Sequence, residues 1–335
     1  MAIVDQLRRP LRDLRVSVTD RCNFRCRYCM PREVFGRAYR FLDRSEVLTY
    51  EEIQRLVQVF VGLGVRKVRL TGGEPLLRRD LPVLVRLLAG MEGLDDLTLT
   101  TNGVLLGERA AALKAAGLDR VTVSLDSIEA TSFRLISDSS VPVERVLEGI
   151  DVARAEGLAP VKVNVVVRRG VNDDQVLPMV RHFRGKGVIV RFIEYMDAGR
   201  SHGWALGRVV PSEEIVERID RVFPLEAVEE PELGRVARRW RLKDGSGEIG
   251  VISSVSQPFC RGCTRARLSP EGRLFLCLFA ATGLDLRSPL RQGAGREALE
   301  ALVRSCWGGR ADRYSELRSE GGGDEPRVEM SHIGG

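Results

Sequence analysis

Short apolar, β-branched runs alternate along the chain with stretches whose apolar residues recur every three or four positions, as between residues 53 and 60. The short runs are typical of buried strands and the longer stretches of amphipathic helices. Their alternation predicts βαβ units and a parallel sheet. The six predicted strands are Arg15–Thr19, Lys67–Thr71, Leu97–Thr101, Arg120–Asp126, Val161–Arg168 and Val188–Tyr195.

Six such units fit either a doubly wound sheet or a partial (β/α)6 barrel. In both architectures, ligands bind at the carboxyl ends of the strands. Small and polar residues follow several predicted strands, namely Arg21–Cys22, Thr71–Pro75, Thr100–Gly103 and Ser124–Asp126. The sequence therefore predicts one shared site at this end of the sheet.

The alternation fades after residue 222, where we expect a domain boundary. Residues 1–222 would form the α/β domain, and residues 223–318 a second segment with strands near Val236–Leu242 and Glu248–Val255 and a helix near Ala298–Val303. Residues 319–335 are Gly-rich and polar, which predicts a flexible tail ending in Gly334-Gly335.

Composition places the chain among ordinary globular proteins. It has 335 residues, 44% hydrophobic and 29% charged, which is enough for about two domains. No signal peptide or membrane-spanning run is recognisable, so we expect a cytoplasmic protein without membrane contact. The net charge of +6 favours anionic ligands without requiring nucleic acid.

Six of the seven cysteines form two groups of three: Cys22, Cys26 and Cys29, and Cys260, Cys263 and Cys277. A structural zinc site needs four ligands, and no histidine lies near either group in sequence. Three thiolates on an iron–sulfur cube leave one iron open for substrate. Buried free thiols, zinc completed by distant side chains, and one site of mixed members remain alternatives. Cys306 is expected to be structural.

A hairpin is predicted within the second group of cysteines. Ser269–Gly272 has Pro and Gly at positions that a type I turn favours, and both flanks alternate like strands. With a four-residue loop, Cys277 would lie opposite Thr264 and beside Cys263. Arg265 and Arg267 would then share one face close to a metal centre, unless they form a solvated pair on an edge strand.

Two motifs together resemble the radical S-adenosylmethionine (SAM) enzymes. They are the CxxxCxxC loop from Cys22 to Cys29 and the GGEP motif of residues 72–75. Residues 14–31, the second cysteine group with Arg265-Ala266-Arg267, and the closing Gly334-Gly335 resemble the molybdenum cofactor biosynthesis A (GTP 3′,8-cyclase) family in particular. The expected fold is accordingly α/β: a partial (β/α)6 TIM-type barrel with a C-terminal β-containing segment that carries a second iron–sulfur site.

The resemblance implies two [4Fe–4S] clusters, one on each cysteine group, with SAM on the first and GTP on the second. It implies SAM contacts by Tyr28, Gly73, Ser124 and Met196. It also implies GTP contacts by Arg15, Arg69, Thr100, Lys162, Arg265, Ala266 and Arg267, and catalytic roles for Arg265, Arg267, Gly334 and Gly335. Lys162 is notable because the chain has only five lysines among its 52 basic residues.

The implied reaction is a lyase reaction in which a 5′-deoxyadenosyl radical takes a hydrogen atom from C3′ of GTP and C3′ then bonds to C8. The implied partners are GTP, an electron donor and a downstream cyclic pyranopterin monophosphate synthase; a homodimer is compatible with the sequence.

Two other functions remain open at this point. One is a different radical SAM enzyme with an auxiliary cluster, although such enzymes usually carry more cysteines. The other is a non-catalytic protein that binds zinc and nucleic acid, for which the net charge of +6 is weak support.

Overall fold

A computed structural model describes residues 2–199, 203–228, 234, 236–318 and 327–334. Its strands are β1 Asp13–Ser17, β2 Lys67–Thr71, β3 Asp96–Thr101, β4 Arg120–Ser124, β5 Lys162–Val167, β6 Ile189–Glu194, β7 Leu225–Val228, β8 Arg238–Leu242, β9 Glu248–Ile252, β10 Arg265–Leu268, β11 Arg273–Phe275 and β12 Leu284–Asp285. Its helices are α1 Tyr50–Gly62, α2 Leu81–Ala89, α3 Leu106–Ala115, α4 Ala130–Ser137, α5 Val143–Ala155, α6 Val176–Phe183, α7 Ser212–Asp220, α8 Arg287–Arg291, α9 Arg296–Gly308, α10 Tyr314–Leu317 and α11 Met330–Ile333.

The first six strands pair in parallel in their order along the chain, with α1 to α6 in the connections. This order confirms the predicted partial (β/α)6 barrel, because a doubly wound sheet would reverse its strand order at a switch point. The six predicted strands are all present, with ends within two residues of the prediction. β1 starts earlier than predicted since it pairs with β2 and β10 from Asp13 onwards.

The C-terminal segment extends the barrel sheet at both edges. β9 pairs in parallel with β6, and β10 pairs in parallel with β1. The predicted strands near 236–242 and 248–255 are β8 and β9, and the predicted helix lies within α9. The boundary expected at residue 222 falls between α7 and β7, inside one continuous sheet.

The hairpin of β10 and β11 differs from the prediction by one residue in register. Arg267 pairs with Phe275 and Leu268 with Leu274, and Ser269 N donates to Arg273 O (2.9 Å), so the loop has three residues, 270–272, rather than four. Gly272 explains the difference: it adopts φ +83° after a turn closed by its own N–H and the Ser269 carbonyl, the usual geometry of a three-residue loop. Cys277 therefore lies beyond the end of β11 rather than opposite Thr264.

The C-terminal tail, expected to be flexible, is ordered in its described part, residues 327–334. α11 packs against β1, and Ile333 is fully buried. One buried apolar side chain and hydrogen bonds to the barrel thus hold a segment whose composition alone predicts disorder. Gly335 lies outside the described residues.

Glu194, at the end of β6, joins the barrel to the C-terminal segment. Its Oε1 accepts from Ser212 N at the start of α7 (2.7 Å) and from Ser256 Oγ. Its Oε2 accepts from Val255 N (2.7 Å) and Ser256 N (2.8 Å), just after β9. The carboxylate is fully buried, so these four donors replace all of its hydration.

No helix in the described part of the chain combines the length and the apolar character that crossing a membrane requires.

We expect Glu194→Gln to lower the free energy of unfolding by about 3 kcal/mol. Each carboxylate oxygen accepts from two donors. In either orientation of the glutamine amide, the NH₂ group would therefore face donors instead of acceptors. The measurement is the thermal midpoint at equal iron content. Glu213→Gln is the control: Glu213 is exposed and accepts one bond from Gln257, so its change should stay within ~0.5 kcal/mol. Equal midpoints for the two variants would contradict the role of Glu194.

Candidate active site

The interior of the barrel is a cavity of about 920 Å³ that is lined by both cysteine groups. The sequence-predicted residues that line it are Arg15, Cys22, Cys26, Tyr28, Cys29, Arg69, Gly73, Thr100, Ser124, Lys162, Met196, Cys260, Cys263, Arg265, Arg267 and Cys277. Ala266 does not line it: its side chain packs in the hydrophobic core, because alternate residues of a strand point to opposite faces.

The loop that follows β1 brings the first three cysteines to the carboxyl end of the barrel. Burial, followed by the charge of Glu74, raises the pKa of Cys22 to about 11. Burial and the neighbouring thiols raise the pKa of Cys26 and Cys29 as well. Three half-buried thiols that raise one another's pKa ionise when a cationic centre binds them, which is what the irons of a cluster supply. The donor set therefore fits an iron–sulfur cluster.

The loop after β2 lies directly against the cysteine loop. Gly73 N donates to Thr19 O (2.8 Å), and a Cβ atom at Gly73 would lie 2.3 Å from Arg21 O. Only glycine allows this approach. Glu74 is buried and accepts from Thr101 Oγ1 (2.7 Å) and Asn102 N (2.7 Å), which ties the loop to the end of β3. Burial raises the pKa of Glu74 to about 7 despite these bonds.

Tyr28 is held by Asp126, at the end of β4. The tyrosine hydroxyl donates to Asp126 Oδ2 (2.7 Å), and Val166 N donates to Oδ1 (2.8 Å). Burial raises the pKa of both groups, that of Asp126 to about 6. Ser124 and Met196, at the ends of β4 and β6, line the same part of the barrel mouth as the loops that carry Tyr28 and Gly73.

In the second cysteine group, Cys263 has cationic partners within hydrogen-bond distance. Cys260 begins a 3₁₀ turn, Cys260–Gly262, ahead of β10. Arg265 Nη2 and Arg310 Nη2 donate to Cys263 Sγ at 3.4 Å and 3.2 Å. Burial alone would raise the pKa of this thiol, but Arg265 and Arg310 lower it to about 6. Cys263 is therefore prepared to bind a metal as a thiolate.

Among the described residues, no three His, Cys, Asp or Glu side chains are placed to hold a single metal ion. An iron–sulfur cube is not such a single-ion site, because the cysteine ligands of a cube bind different irons.

The wall between the strand ends is strongly cationic. Burial and neighbouring guanidiniums lower the pKa of Arg15, and they lower that of Arg267 to about 10. Burial and Arg120 lower the pKa of Arg69 to about 10. Burial, Arg191 and Arg120 lower the pKa of Lys162 to about 7. So many like charges around one cavity favour a polyanionic ligand.

Sequence patterns did not reveal further residues of this wall, among them Arg191 and Asn164. Arg191 donates to Asn164 Oδ1 (3.0 Å), and Thr122 Oγ1 accepts from both Arg69 (3.1 Å) and Arg191 (3.4 Å). Burial and Arg69 lower the pKa of Arg191 to about 9. The signal was available: Asn164 lies two residues after Lys162 on β5, and residues two apart share a face of a strand.

The tail reaches this wall through Gly334. Its carbonyl oxygen accepts from Arg15 Nη1 (3.2 Å) and, in a short bond, from Arg267 Nη1. Gly334 adopts φ +72°, and a Cβ atom there would lie 2.2 Å from Thr71 Cγ2. Glycine is therefore required at this position on both conformational and steric grounds.

Two family models match the chain: Radical SAM superfamily over residues 16–183 and Molybdenum Cofactor Synthesis C over residues 188–316. The chain is 51% identical to the GTP 3′,8-cyclase of Acidothermus cellulolyticus, over 99% of each chain. It is 50% identical to that of Xanthomonas axonopodis, over 99% of this chain and 98% of the relative. A solved methylornithine synthase aligns with TM-score 0.49 and 17% identity, over 64% of this chain and 63% of that one.

These matches confirm the resemblance found in the sequence. The radical SAM match brings with it SAM and a [4Fe–4S] cluster as cofactors, and the CxxxCxxC loop holds the residues that such a cluster needs. The chain belongs to the radical SAM superfamily and, within it, to the GTP 3′,8-cyclase family.

Proposed function

We propose that this chain is a GTP 3′,8-cyclase that works in molybdenum cofactor biosynthesis with two [4Fe–4S] clusters. The observation that carries the proposal is one cavity lined by both cysteine groups and by a wall of buried and half-buried cations. The first cluster would be held by Cys22, Cys26 and Cys29, and the second by Cys260, Cys263 and Cys277. The names of the relatives and the match of the C-terminal family support this assignment.

SAM would bind at the carboxyl end of β2, β4 and β6. The close backbone approach at Gly73 holds this loop against the cysteine loop, and the amino-acid end of SAM would bind beside the two loops. Tyr28, fixed by Asp126, would contact the adenine together with Met196, and Ser124 would add a hydroxyl at the end of β4. When bound, the cluster and SAM supply a one-electron cleavage that yields the 5′-deoxyadenosyl radical.

GTP would place its triphosphate on the cationic wall. Arg15, Arg69 and Arg267 offer planar guanidiniums for bidentate contacts, and Lys162 a compact charge. Thr100 and Arg265 line the same cavity, and Ala266 would contribute backbone only, since its side chain faces the core. This arrangement holds the ribose in one orientation, which hydrogen abstraction at C3′ requires.

Besides the substrate GTP, two partners follow from this function. An electron donor must reduce the first cluster, and a cyclic pyranopterin monophosphate synthase would consume the cyclised nucleotide. A homodimer and a cytoplasmic location remain predictions from the sequence.

The decisive experiment is anaerobic reconstitution followed by product analysis. Iron-loaded protein should hold about eight irons per chain, four for each cube. With GTP, SAM and a reductant it should form 3′,8-cyclo-GTP and 5′-deoxyadenosine. Zinc in place of iron, or SAM cleavage without a cyclised nucleotide, would reject the proposal.

Cys260→Ala is the matched variant in that assay, and Cys306→Ala is its control. Cys260→Ala should retain some SAM cleavage and lose cyclisation, because it disrupts only the second cysteine group. Cys306 lies half-buried on α9, away from the cavity lining, and its substitution should leave both products unchanged.

Lys162 should make GTP affinity depend on pH. Its pKa is about 7 in the free protein, and a bound phosphate would raise it. The affinity that Lys162 contributes is then complete below about pH 7 and is lost as pH rises towards the bound-state pKa, by at most about tenfold per unit. Lys162→Met should bind GTP more weakly than wild type near about pH 6.5, and the two affinities should become equal near about pH 9.

Lys162→Arg is the control, because its charge persists over this range and should flatten the pH profile. Equilibrium binding of GTP to the iron-loaded chains measures all three. Parallel profiles for wild type and Lys162→Met would show that Lys162 does not contact the phosphates.

The tail should act in the chemical step more than in binding. Deleting Gly334 and Gly335, or Gly334→Ala, should leave iron content and GTP affinity largely intact and reduce 3′,8-cyclo-GTP formation on the order of 10²-fold, since radical transfer demands close positioning. Gly170→Ala is the control for backbone strain: Gly170 has φ +70° but open space around it. Wild-type turnover by the truncated chain would remove the tail from the mechanism.

A further inference from the structure

We propose that Asp197 is a positioning residue that fixes the C-terminal tail over the active site, an inference that rests on the proposed function. Asp197 directly follows Met196, at the mouth of the barrel after β6. Its carboxylate accepts hydrogen bonds from three side chains. They belong to two segments of the chain that are both far from Asp197 in sequence. None of these bonds reaches a residue that is proposed to bind GTP, so Asp197 acts through other groups.

The first part of the sequence that Asp197 holds is α10 and the residue after it. Tyr314 Oη donates to Asp197 Oδ2 (2.5 Å), and Arg318 Nε donates to Oδ1 (2.9 Å). Tyr314 also stacks on Phe279, two residues after Cys277, with ring centroids 4.2 Å apart. Asp197 is thus tied to the loop that carries the second cysteine group.

The second part is the tail itself, through Arg327. Arg327 Nη1 donates to the carbonyl oxygen of Asp197 (3.0 Å) and to its Oδ2 (3.2 Å), while Nη2 donates to Tyr314 Oη (2.7 Å). The Arg327 guanidinium lies over the Tyr314 ring, 4.2 Å from its centroid. Arg327 therefore enters the same network at the first described residue of the tail segment.

Burial makes the loss of any member of this network energetically costly. The side chain of Asp197 is 13% exposed and that of Arg327 is 7% exposed. Removing the carboxylate would leave two buried guanidiniums without their common acceptor, a larger penalty than the loss of a surface pair. The tail would keep its contacts at the far end, namely buried Ile333, His332 with Glu271 and the bonds to the Gly334 carbonyl. Near Arg327 it would keep the bonds of Arg327 to the Asp197 backbone carbonyl and to Tyr314 Oη and the bond of Val328 N to Ala280 O (3.2 Å), but it would lose the charged acceptor that fixes the guanidinium.

The distance along the chain makes the anchor effective. Six residues separate Arg327 from Gly334, and four of them form α11. A short helix held at both ends transmits the position of one end to the other, whereas a segment held at one end frays. Asp197 thereby sets where the Gly334 carbonyl meets Arg15 and Arg267.

The test compares Asp197→Asn with wild type on anaerobic, iron-loaded protein. Hydrogen–deuterium exchange of the peptide that covers residues 327–334 should rise in Asp197→Asn and in Arg327→Gln, since the opening of a segment controls its exchange. Tyr314→Phe keeps the ring on Phe279 and removes one donor, so it should give a smaller rise. Asp244→Asn is the control. Asp244 pairs with Arg184 (2.8 Å) on the exposed surface and takes no part in the hydrogen bonds described for Asp197.

The second readout is the number of cyclised nucleotides per SAM cleaved. We expect this ratio to fall about tenfold in Asp197→Asn, with GTP affinity changed less than about threefold. If Asp197 acts through the tail, adding Asp197→Asn to the chain that lacks Gly334 and Gly335 should cause no further loss, as a double-mutant cycle measures.

Two results would overturn the inference: unchanged exchange of residues 327–334 in Asp197→Asn, or losses that add in full in the double variant. The exchange measurement needs no turnover. If wild type formed no cyclised nucleotide, the proposed function would fail while the anchoring of the tail would still be decided.

Discussion

The concentration of positive charge inside the barrel is the constraint on which the rest of the structure depends. Arg15, Arg69, Arg191 and Lys162 project inward from neighbouring strands, and burial together with their mutual repulsion lowers the pKa of each. The sheet tolerates this because the opposite face of the same strands carries the apolar core, with Val68, Leu70 and Val163 fully buried among others. The apolar face of these strands stabilises the fold, and the inner face carries the charged side chains that are proposed to bind the substrate.

This division explains why the C-terminal segment is part of the barrel rather than an appendage. β10 pairs with β1 in parallel, so Arg265 and Arg267 join the inner face in register with Asp13 and Arg15. β9 pairs with β6 at the other edge, where the four hydrogen bonds of Glu194 hold it. The pairing that completes the sheet is also the pairing that brings the second cysteine group to the cavity of the first.

Sequence patterns predicted the barrel well because each of the six strands carries a strong local signal, and motif spacing predicted the two cysteine groups. They failed in two local details, the register of the hairpin and the direction of the Ala266 side chain, and in the tail, where the decisive interactions are distant in sequence. The register of the hairpin depended on the positive φ of Gly272, and Ala266 was grouped with its arginine neighbours although alternation turns it to the core. Order in the tail depends on Asp197, Arg15 and Arg267, which composition cannot show.

The proposed sharing of guanidiniums between tail and substrate would account for the expected split between binding and chemistry. Arg15 and Arg267 donate to the Gly334 carbonyl, and each guanidinium has five N–H donors, so the same groups can also contact a phosphate. Loss of the tail removes one neutral acceptor and no charge, and the attraction for a triphosphate therefore persists. What is lost is the fixed orientation of the two donor planes, on which the position of the ribose depends.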